Sequence, residues 1–124
     1  MTNIHERNAG QFIDALRERL GKGLHAVALY GSVARGQARA DSDVDLLVVT
    51  AMPAGNVIDD VAYEIDFGSR FTTFLVPVEF SPEQLEYCLH TGDPFLESVL
   101  KDAKLLYDDG TFKDIHDRIV AHRA

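Results

Sequence analysis

The chain has 124 residues, of which 46% are hydrophobic and 26% charged, so it is long enough for one packed domain and too short for two. Its formal net charge of −8 disfavours direct nucleic-acid binding, because contacts with phosphate need basic side chains. No apolar run reaches the length of a membrane helix, and the polar start with Glu6 and Arg7 is unlike a secretory signal. The single cysteine, Cys88, excludes an internal disulfide. We therefore expect one cytoplasmic domain over residues 1–124, which binds a small nucleotide or a basic protein partner.

Apolar periodicity predicts alternating helices and strands. Phe12, Leu16 and Leu20 recur at the four-residue spacing of a helix, and the nearly continuous apolar run at 24–30 is typical of a strand buried on both faces. In chain order, the predicted elements are a helix at 8–20, a strand at 24–30, a short helix with a loop at 33–40, a strand at 44–50, a loop at 51–56, a helix at 57–67, a strand at 72–80, helices from 82 and 93, a strand at 104–107 and a helix capped by Thr111. This order predicts an α/β (α+β) fold whose short mixed sheet of about four strands is flanked by helices.

The most informative stretch joins the first two predicted strands. The first strand ends at Gly31-Ser32, ten residues follow, and Asp43-Val44-Asp45 opens the second strand. Side chains alternate faces along a strand, so Asp43 and Asp45 point the same way. Two neighbouring carboxylates repel each other unless a cation neutralises them, and magnesium commonly binds one or two carboxylates together with substrate phosphates. Asp43 and Asp45 are therefore candidate metal ligands.

The other end of this stretch suits a phosphate group. Gly31 allows the backbone to approach a ligand closely, and the N–H groups of a helix start are available to an anion. Arg35, one turn further on, offers several hydrogen-bond donors to phosphate oxygens. Taken singly, a Gly-Ser pair after a strand is usually a turn, and an Asp-x-Asp pair is usually a solvated strand end. Both patterns occur here in order and at strand boundaries, which favours a nucleotide site.

These residues resemble the nucleotidyltransferase signature of the DNA polymerase beta superfamily, in which Gly-Ser, ten residues and Asp-x-Asp follow one another. The stretch is most similar to the minimal nucleotidyltransferases, small domains that are often encoded beside a helical partner of the HEPN class. The resemblance implies a nucleotidyltransferase fold, ATP as substrate, triphosphate binding by Gly31 and Ser32, and magnesium binding by Asp43 and Asp45. The common family form has a basic residue directly after Gly-Ser, whereas this chain has Val33 there.

The resemblance implies a magnesium-dependent enzyme that transfers a nucleoside monophosphate, AMP from ATP, to a hydroxyl of a protein or small-molecule acceptor. Such a domain would serve as the antitoxin of a HEPN-type pair. The alternative is a non-catalytic antitoxin module that binds nucleotide or masks its partner by contact.

The predicted strand at 72–80 bears on this choice. Active members of the superfamily carry a third carboxylate on a later strand, about where Val76 stands in this chain. The only acid of the predicted strand is Glu79, which points to the opposite face from Val76 unless Pro77 introduces a bulge. Proline inside a strand predicts either an edge position or such a bulge. The sequence leaves open whether Glu79 takes part in catalysis.

Overall fold

The computed structural model describes residues 3–39, 42–51 and 53–123. Ala40, the predicted end of the first loop, and Met52 of the second loop lie outside these residues. The helices are α1 (Ile4–Leu20), α2 (Gly31–Ala34), α3 (Gly55–Gly68), α4 (Pro82–Thr91), α5 (Pro94–Asp102) and α6 (Thr111–Arg123), and the strands are β1 (Leu24–Tyr30), β2 (Asp43–Thr50), β3 (Phe74–Phe80) and β4 (Lys104–Asp108). None of the helices described is both long and apolar enough to cross a membrane.

The strands form one mixed sheet in the order β3-β2-β1-β4. Strand β1 is antiparallel to both β2 and β4, whereas β2 and β3 are parallel. The predicted mixed four-stranded sheet with flanking helices is thus confirmed. Pro77 lies in β3, which is an edge strand, and the β2–β3 register runs without a shift from Asp43–Phe74 to Val49–Phe80. Of the two explanations for Pro77, the edge position is therefore correct.

Helices cover both faces of the sheet and create two cores. Val44, Leu46 and Val48 of β2 pack with α1 and α3, on what we call the α1–α3 face. Leu47 and Val49 pack with α4, α5 and α6, on the α4–α6 face. Because side chains alternate along β2, Asp43 and Asp45 belong to the α4–α6 face, at the end of the sheet where β2 begins.

Helix ends follow local hydrogen bonds. Helix α1 begins before the predicted residue 8, because the Asn3 side chain caps it by accepting the N–H of Glu6 at 2.9 Å. The predicted cap of α6 is wrong: the Asp108 carboxylate, rather than Thr111, accepts the N–H groups of Phe112 and Lys113, both at 3.1 Å. An acidic side chain at this end also interacts favourably with the helix dipole.

The exposed edge of β3 is closed by a carboxylate from α3. Asp66 is 6% exposed, and its Oδ2 accepts the N–H of Leu75 at 3.0 Å. Its Oδ1 accepts the hydroxyl of Thr73 at 3.1 Å, and Asn8 of α1 donates to that hydroxyl at 2.7 Å. Burial raises the pKa of Asp66, and the bonds from Leu75 and Thr73 oppose this rise. The network therefore joins α1 and α3 to the start of β3, on either side of Phe74, which pairs with Asp43.

We predict that Asp66→Ala lowers the free energy of unfolding by about 2 kcal/mol, because the buried Thr73 hydroxyl and the Leu75 N–H lose their acceptor. Asp59→Ala, at an exposed position of the same helix, is the matched control and should change stability by less than about 0.5 kcal/mol. Chemical denaturation of the three proteins measures both values. Equal stabilities of the two variants would show that the network contributes nothing.

Candidate active site

Strand register brings the predicted metal ligands together with residues of both neighbouring strands. Asp45 pairs with Tyr30 of β1 on one side and with Val76 of β3 on the other. Two residues earlier along the same strands, Asp43 pairs with Phe74. Residues paired in register point to the same face, so all five side chains share the α4–α6 face. Asp43 is exposed and Asp45 is half-buried, which leaves the carboxylate pair accessible to a ligand.

The predicted phosphate-binding turn lies directly against this carboxylate pair. Gly31 begins α2 with a φ of +76°, a conformation that side chains other than glycine rarely adopt. A Cβ atom at Gly31 would overlap Oδ2 of Asp45. The structure therefore places the two halves of the sequence signature in van der Waals contact, and this contact requires glycine.

The electrostatics of the pair favour a bound cation. Burial raises the pKa of Asp45, the charge of Asp43 raises it further, and the Arg35 guanidinium opposes the rise. Burial and the Asp45 charge likewise raise the pKa of Tyr30. Ionisation of Asp45 is thus less favourable than that of a solvated carboxyl group, and a cation between the carboxylates would relieve this penalty.

The donor set suits magnesium rather than a metal that needs a full protein cage. Among residues 3–39, 42–51 and 53–123, no three His, Cys, Asp or Glu side chains are grouped to hold a metal ion. Two carboxylates with room for substrate oxygens match the way magnesium binds in nucleotide sites. Asp43 and Asp45 are the residues that would hold it.

Ser32 and Arg35 extend the site from Gly31. The Ser32 side chain is half-buried, and its hydroxyl makes no hydrogen bond within the part of the chain that the structure describes. Arg35 donates from Nε to Oε1 of Gln37 at 3.2 Å, and its Nη1 lies 3.5 Å from Oδ2 of Asp102 on α5. Arg35 thus lies within ion-pair distance of Asp102, and its charge also acts on Asp45. Sequence reasoning did not find this ion pair, because the two residues are far apart in the chain.

Val33, which stands where the family commonly has a basic residue, lies in the protein core. The side chain is 5% exposed and belongs to the core of the α1–α3 face. The position that is commonly basic after Gly-Ser therefore contributes to packing here. Within the signature, Arg35 is the cation nearest to the phosphate-type turn.

Glu79 does not join the site. Its Oε2 accepts the Thr50 hydroxyl at 2.6 Å and the N–H of Ala54, which precedes α3, at 2.7 Å. It pairs with Val48, three residues along β2 from Asp45, and lies on the α1–α3 face. Val76 is the β3 residue in register with Asp45. Glu79 thus stabilises the start of α3. The residue beside the Asp43–Asp45 pair on β3 is the aliphatic Val76.

Three aromatic residues near the site were not predicted. Phe74 lies beside Asp43 in the register, and the ring of Phe95 on α5 contacts Tyr30 edge-on with a centroid distance of 5.9 Å. Phe95 also stacks on Phe80 at 6.4 Å. These neighbours depend on strand order and helix placement, for which the sequence carries no local signal.

Comparisons with known proteins show the family of the chain. The family model of the nucleotidyltransferase domain matches residues 10–120. The predicted protein adenylyltransferase MJ1305 of Methanocaldococcus jannaschii is 29% identical over 116 residues, which cover 88% of this chain and 76% of that protein. A second predicted protein adenylyltransferase of that organism, MJ0604, is 24% identical over 103 residues, which cover 82% of this chain and 97% of that protein.

Solved structures share the fold. A toxin–antitoxin structure with AMP-PNP has a TM-score of 0.61 at 20% identity, over 94% of this chain and 86% of that one. The toxin–antitoxin MntA-HepT has a TM-score of 0.56 at 18% identity, over 94% and 85%. Spectinomycin adenyltransferase AAD(9) from Enterococcus faecialis, with ATP and spectinomycin, has a TM-score of 0.61 at 13% identity, over 83% and 56%.

The fold and the site define a nucleotidyltransferase. The chain belongs to the nucleotidyltransferase domain family, whose model spans residues 10–120, and the predicted adenylyltransferase-type transferase is confirmed at the level of the family.

We predict that Gly31→Ala and Gly36→Ala differ in their effect on the site, although both glycines have positive φ angles, +76° and +72°. Each substitution should cost about 1 kcal/mol of stability through the backbone. Only Gly31→Ala places a Cβ against Asp45, whereas no atom of the described residues lies within 4 Å of the Cβ position at Gly36. Gly31→Ala should therefore also weaken magnesium-dependent nucleotide binding. Calorimetric titration and thermal unfolding measure the two effects, and equal nucleotide affinities would contradict the contact.

We predict that Glu79→Ala lowers the free energy of unfolding by about 2 kcal/mol, because the buried Thr50 hydroxyl and the Ala54 N–H lose their acceptor. Nucleotide affinity of the folded variant should stay unchanged, since Glu79 lies on the other face of the sheet. The exposed Glu83→Ala is the control for loss of a negative charge. A stable variant that had lost transferase activity would restore a catalytic role for Glu79.

Proposed function

We propose that the protein is a magnesium-dependent adenylyltransferase that transfers AMP from ATP to a hydroxyl group of a protein. The observation that carries the proposal is the contact between Gly31 and Asp45, which sets a phosphate-type turn against a carboxylate pair. The family match and the two relatives named as protein adenylyltransferases support the reaction and the class of acceptor.

In the proposed mechanism, Gly31 and Ser32 bind the triphosphate through their backbone N–H groups and the Ser32 hydroxyl. Arg35 supplies positive charge to the same phosphates from its position beside Asp102. Asp43 and Asp45 would hold magnesium, which would supply positive charge to the phosphate oxygens. The five residues then act on one substrate from adjoining positions.

Transfer proceeds by attack of the acceptor hydroxyl oxygen on the α-phosphorus. The new O–P bond forms as the bond to the bridging oxygen of the β-phosphate breaks, and pyrophosphate leaves. The hydroxyl proton passes to solvent, because Val76 occupies the β3 position beside Asp45. Catalysis therefore rests on positioning and charge neutralisation, which supply most of the rate enhancement in phosphoryl chemistry.

The acceptor in this proposal is a helical partner of the HEPN type, with the nucleotidyltransferase acting as its antitoxin in the cytoplasm. Toxin–antitoxin structures have the same fold, over more than nine-tenths of this chain. The net charge of −8 favours a protein partner over a nucleic acid.

The second candidate is an antitoxin that binds nucleotide, or masks its partner by contact, without transferring AMP. The specific observation in its favour is Val76, an aliphatic residue in register with Asp45 where active members of the superfamily place a third carboxylate. Labelled ATP separates the two functions, because only an adenylyltransferase leaves label on the partner.

We predict that Asp45→Asn abolishes this labelling while the apo protein is at least as stable as the wild type. The amide removes the repulsion between Asp45 and Asp43, which stabilises the free protein, and it removes an anionic metal ligand. The experiment incubates each protein with labelled ATP, magnesium and a candidate partner of the HEPN type, and records apo melting temperatures in parallel.

Asp14→Asn, at an exposed position of α1 on the opposite face of the sheet, is the matched control for loss of charge and should label the partner normally. Wild-type protein should also melt at a higher temperature with magnesium and ATP, since a ligand of the native state stabilises it. A less stable Asp45→Asn that bound nucleotide as well as the wild type would contradict the metal-ligand assignment. Nucleotide binding without labelling would favour the second candidate.

A further inference from the structure

Four aromatic side chains form a continuous exposed surface beside the candidate active site. We call it the aromatic strip, and its members are Tyr63 and Phe67 of α3, Phe71 of the following loop and Phe74 of β3. Their exposed fractions are 61%, 63%, 42% and 50%. Neighbouring ring centroids lie 5.8–6.2 Å apart, so the rings contact one another along the strip. Contiguous exposed apolar surface of this kind marks interaction sites.

The loop that completes the strip is held in an unfavourable backbone conformation. Arg70 and Phe71 have φ angles of 57° and 56°, in the left-handed region that non-glycine residues avoid. The N–H of Phe71 donates to the Asp66 carbonyl at 2.7 Å, and the N–H of Thr72 donates to the Ser69 carbonyl at 3.2 Å, which holds the turn. The turn brings Phe71 against Tyr63, Phe67 and Phe74. Strained backbone conformations of this kind cluster at functional sites.

The strip is continuous with the carboxylate pair. Phe74 pairs with Asp43, and the next residue on the same face of β3, Val76, is 38% exposed and pairs with Asp45. A molecule bound along the strip would therefore extend to the residues that we propose to act on ATP. This position suits the acceptor rather than an unrelated ligand.

Charges around the strip select the kind of molecule that binds. Asp59 and Asp60 lie one helical turn before Tyr63, and neither makes an ion pair within residues 3–39, 42–51 and 53–123. Asp43 adds negative charge at the other end, and Arg70 is the cation of the connecting loop. A second copy of the chain carries the same net charge of −8 and would be repelled. A basic partner would be attracted.

We propose that the aromatic strip is the docking surface for the acceptor protein, which it binds through a basic segment with apolar side chains on one face. The proposal rests on the proposed function for the identity of the acceptor, and adds where that acceptor binds. Apolar contact supplies the affinity, and the acidic residues beside Tyr63 favour a basic partner.

The probe is a labelled 20-residue helical peptide of leucine and lysine, with a leucine and glutamate peptide of the same length as its counterpart. Fluorescence anisotropy measures binding to the wild type and to the double variant Tyr63→Ser, Phe67→Ser. The lysine peptide should bind the wild type, and about tenfold or more weakly the double variant. The glutamate peptide should not bind. Tyr87→Ser is the matched control, because Tyr87 is 69% exposed but lies on α4.

A second variant tests charge without altering the rings. Reversal of both acids, Asp59→Lys with Asp60→Lys, should weaken binding of the lysine peptide and introduce binding of the glutamate peptide. Both variants should keep the melting temperature and the stabilisation by magnesium and ATP, since the altered side chains are exposed and outside the proposed nucleotide site. Labelling of the acceptor protein should fall in the double variant and stay normal in Tyr87→Ser.

The proposal is overturned if the double variant binds the lysine peptide as well as the wild type does, or if both peptides bind alike. It is also overturned if the wild type is a dimer that the double variant dissociates, because the strip would then contact a second copy. Peptide binding that survives in Asp45→Asn, together with a failure of the wild type to bind ATP, would refute the proposed function alone. Normal ATP binding with unchanged acceptor labelling in the double variant would refute the docking surface alone.

Discussion

The close approach of Gly31 to the Asp45 carboxylate is the constraint on which the candidate site depends. It fixes the distance between the turn after β1 and the start of β2, and it allows no side chain at residue 31. Antiparallel pairing of β1 with β2 places Tyr30 opposite Asp45 and so brings the turn to the carboxylate. The sheet therefore determines the site: a shift of one residue in this pairing would move Asp45 to the other face.

The carboxylates on the two faces of the sheet differ in their hydrogen bonds, as Asp66 and Glu79 near β3 illustrate. Asp66 and Glu79 accept hydrogen bonds from the backbone or hydroxyls of the α1–α3 side, where they close the strand edge and anchor α3. Asp43 and Asp45, on the α4–α6 face, make no such bonds among the described residues. The carboxylates that stabilise the fold are thus separated by the sheet from those available to a metal.

The sequence predicted the elements and the signature residues because both depend on local information. Gly31, Ser32, Asp43 and Asp45 are recognised by spacing within one stretch, and the mixed sheet follows from the order of elements. The Arg35–Asp102 ion pair could not be predicted, because it depends on where α5 packs. The aromatic strip was missed for a related reason: Tyr63, Phe67 and Phe71 continue a four-residue spacing beyond the end of α3, where helical periodicity no longer applies.

Val76 links the chemistry of the site to the aromatic strip. An aliphatic residue in register with Asp45 cannot take a proton from an acceptor, so the proposed transfer depends on how the acceptor is positioned. Val76 also carries no charge, so the exposed surface between the strip and the carboxylates is apolar from Tyr63 to Val76. In the proposed function, the lack of an acid at this position thus accompanies an apolar surface that suits the docking of a protein. The proposed sites of partner recognition and of transfer therefore lie at one edge of the sheet.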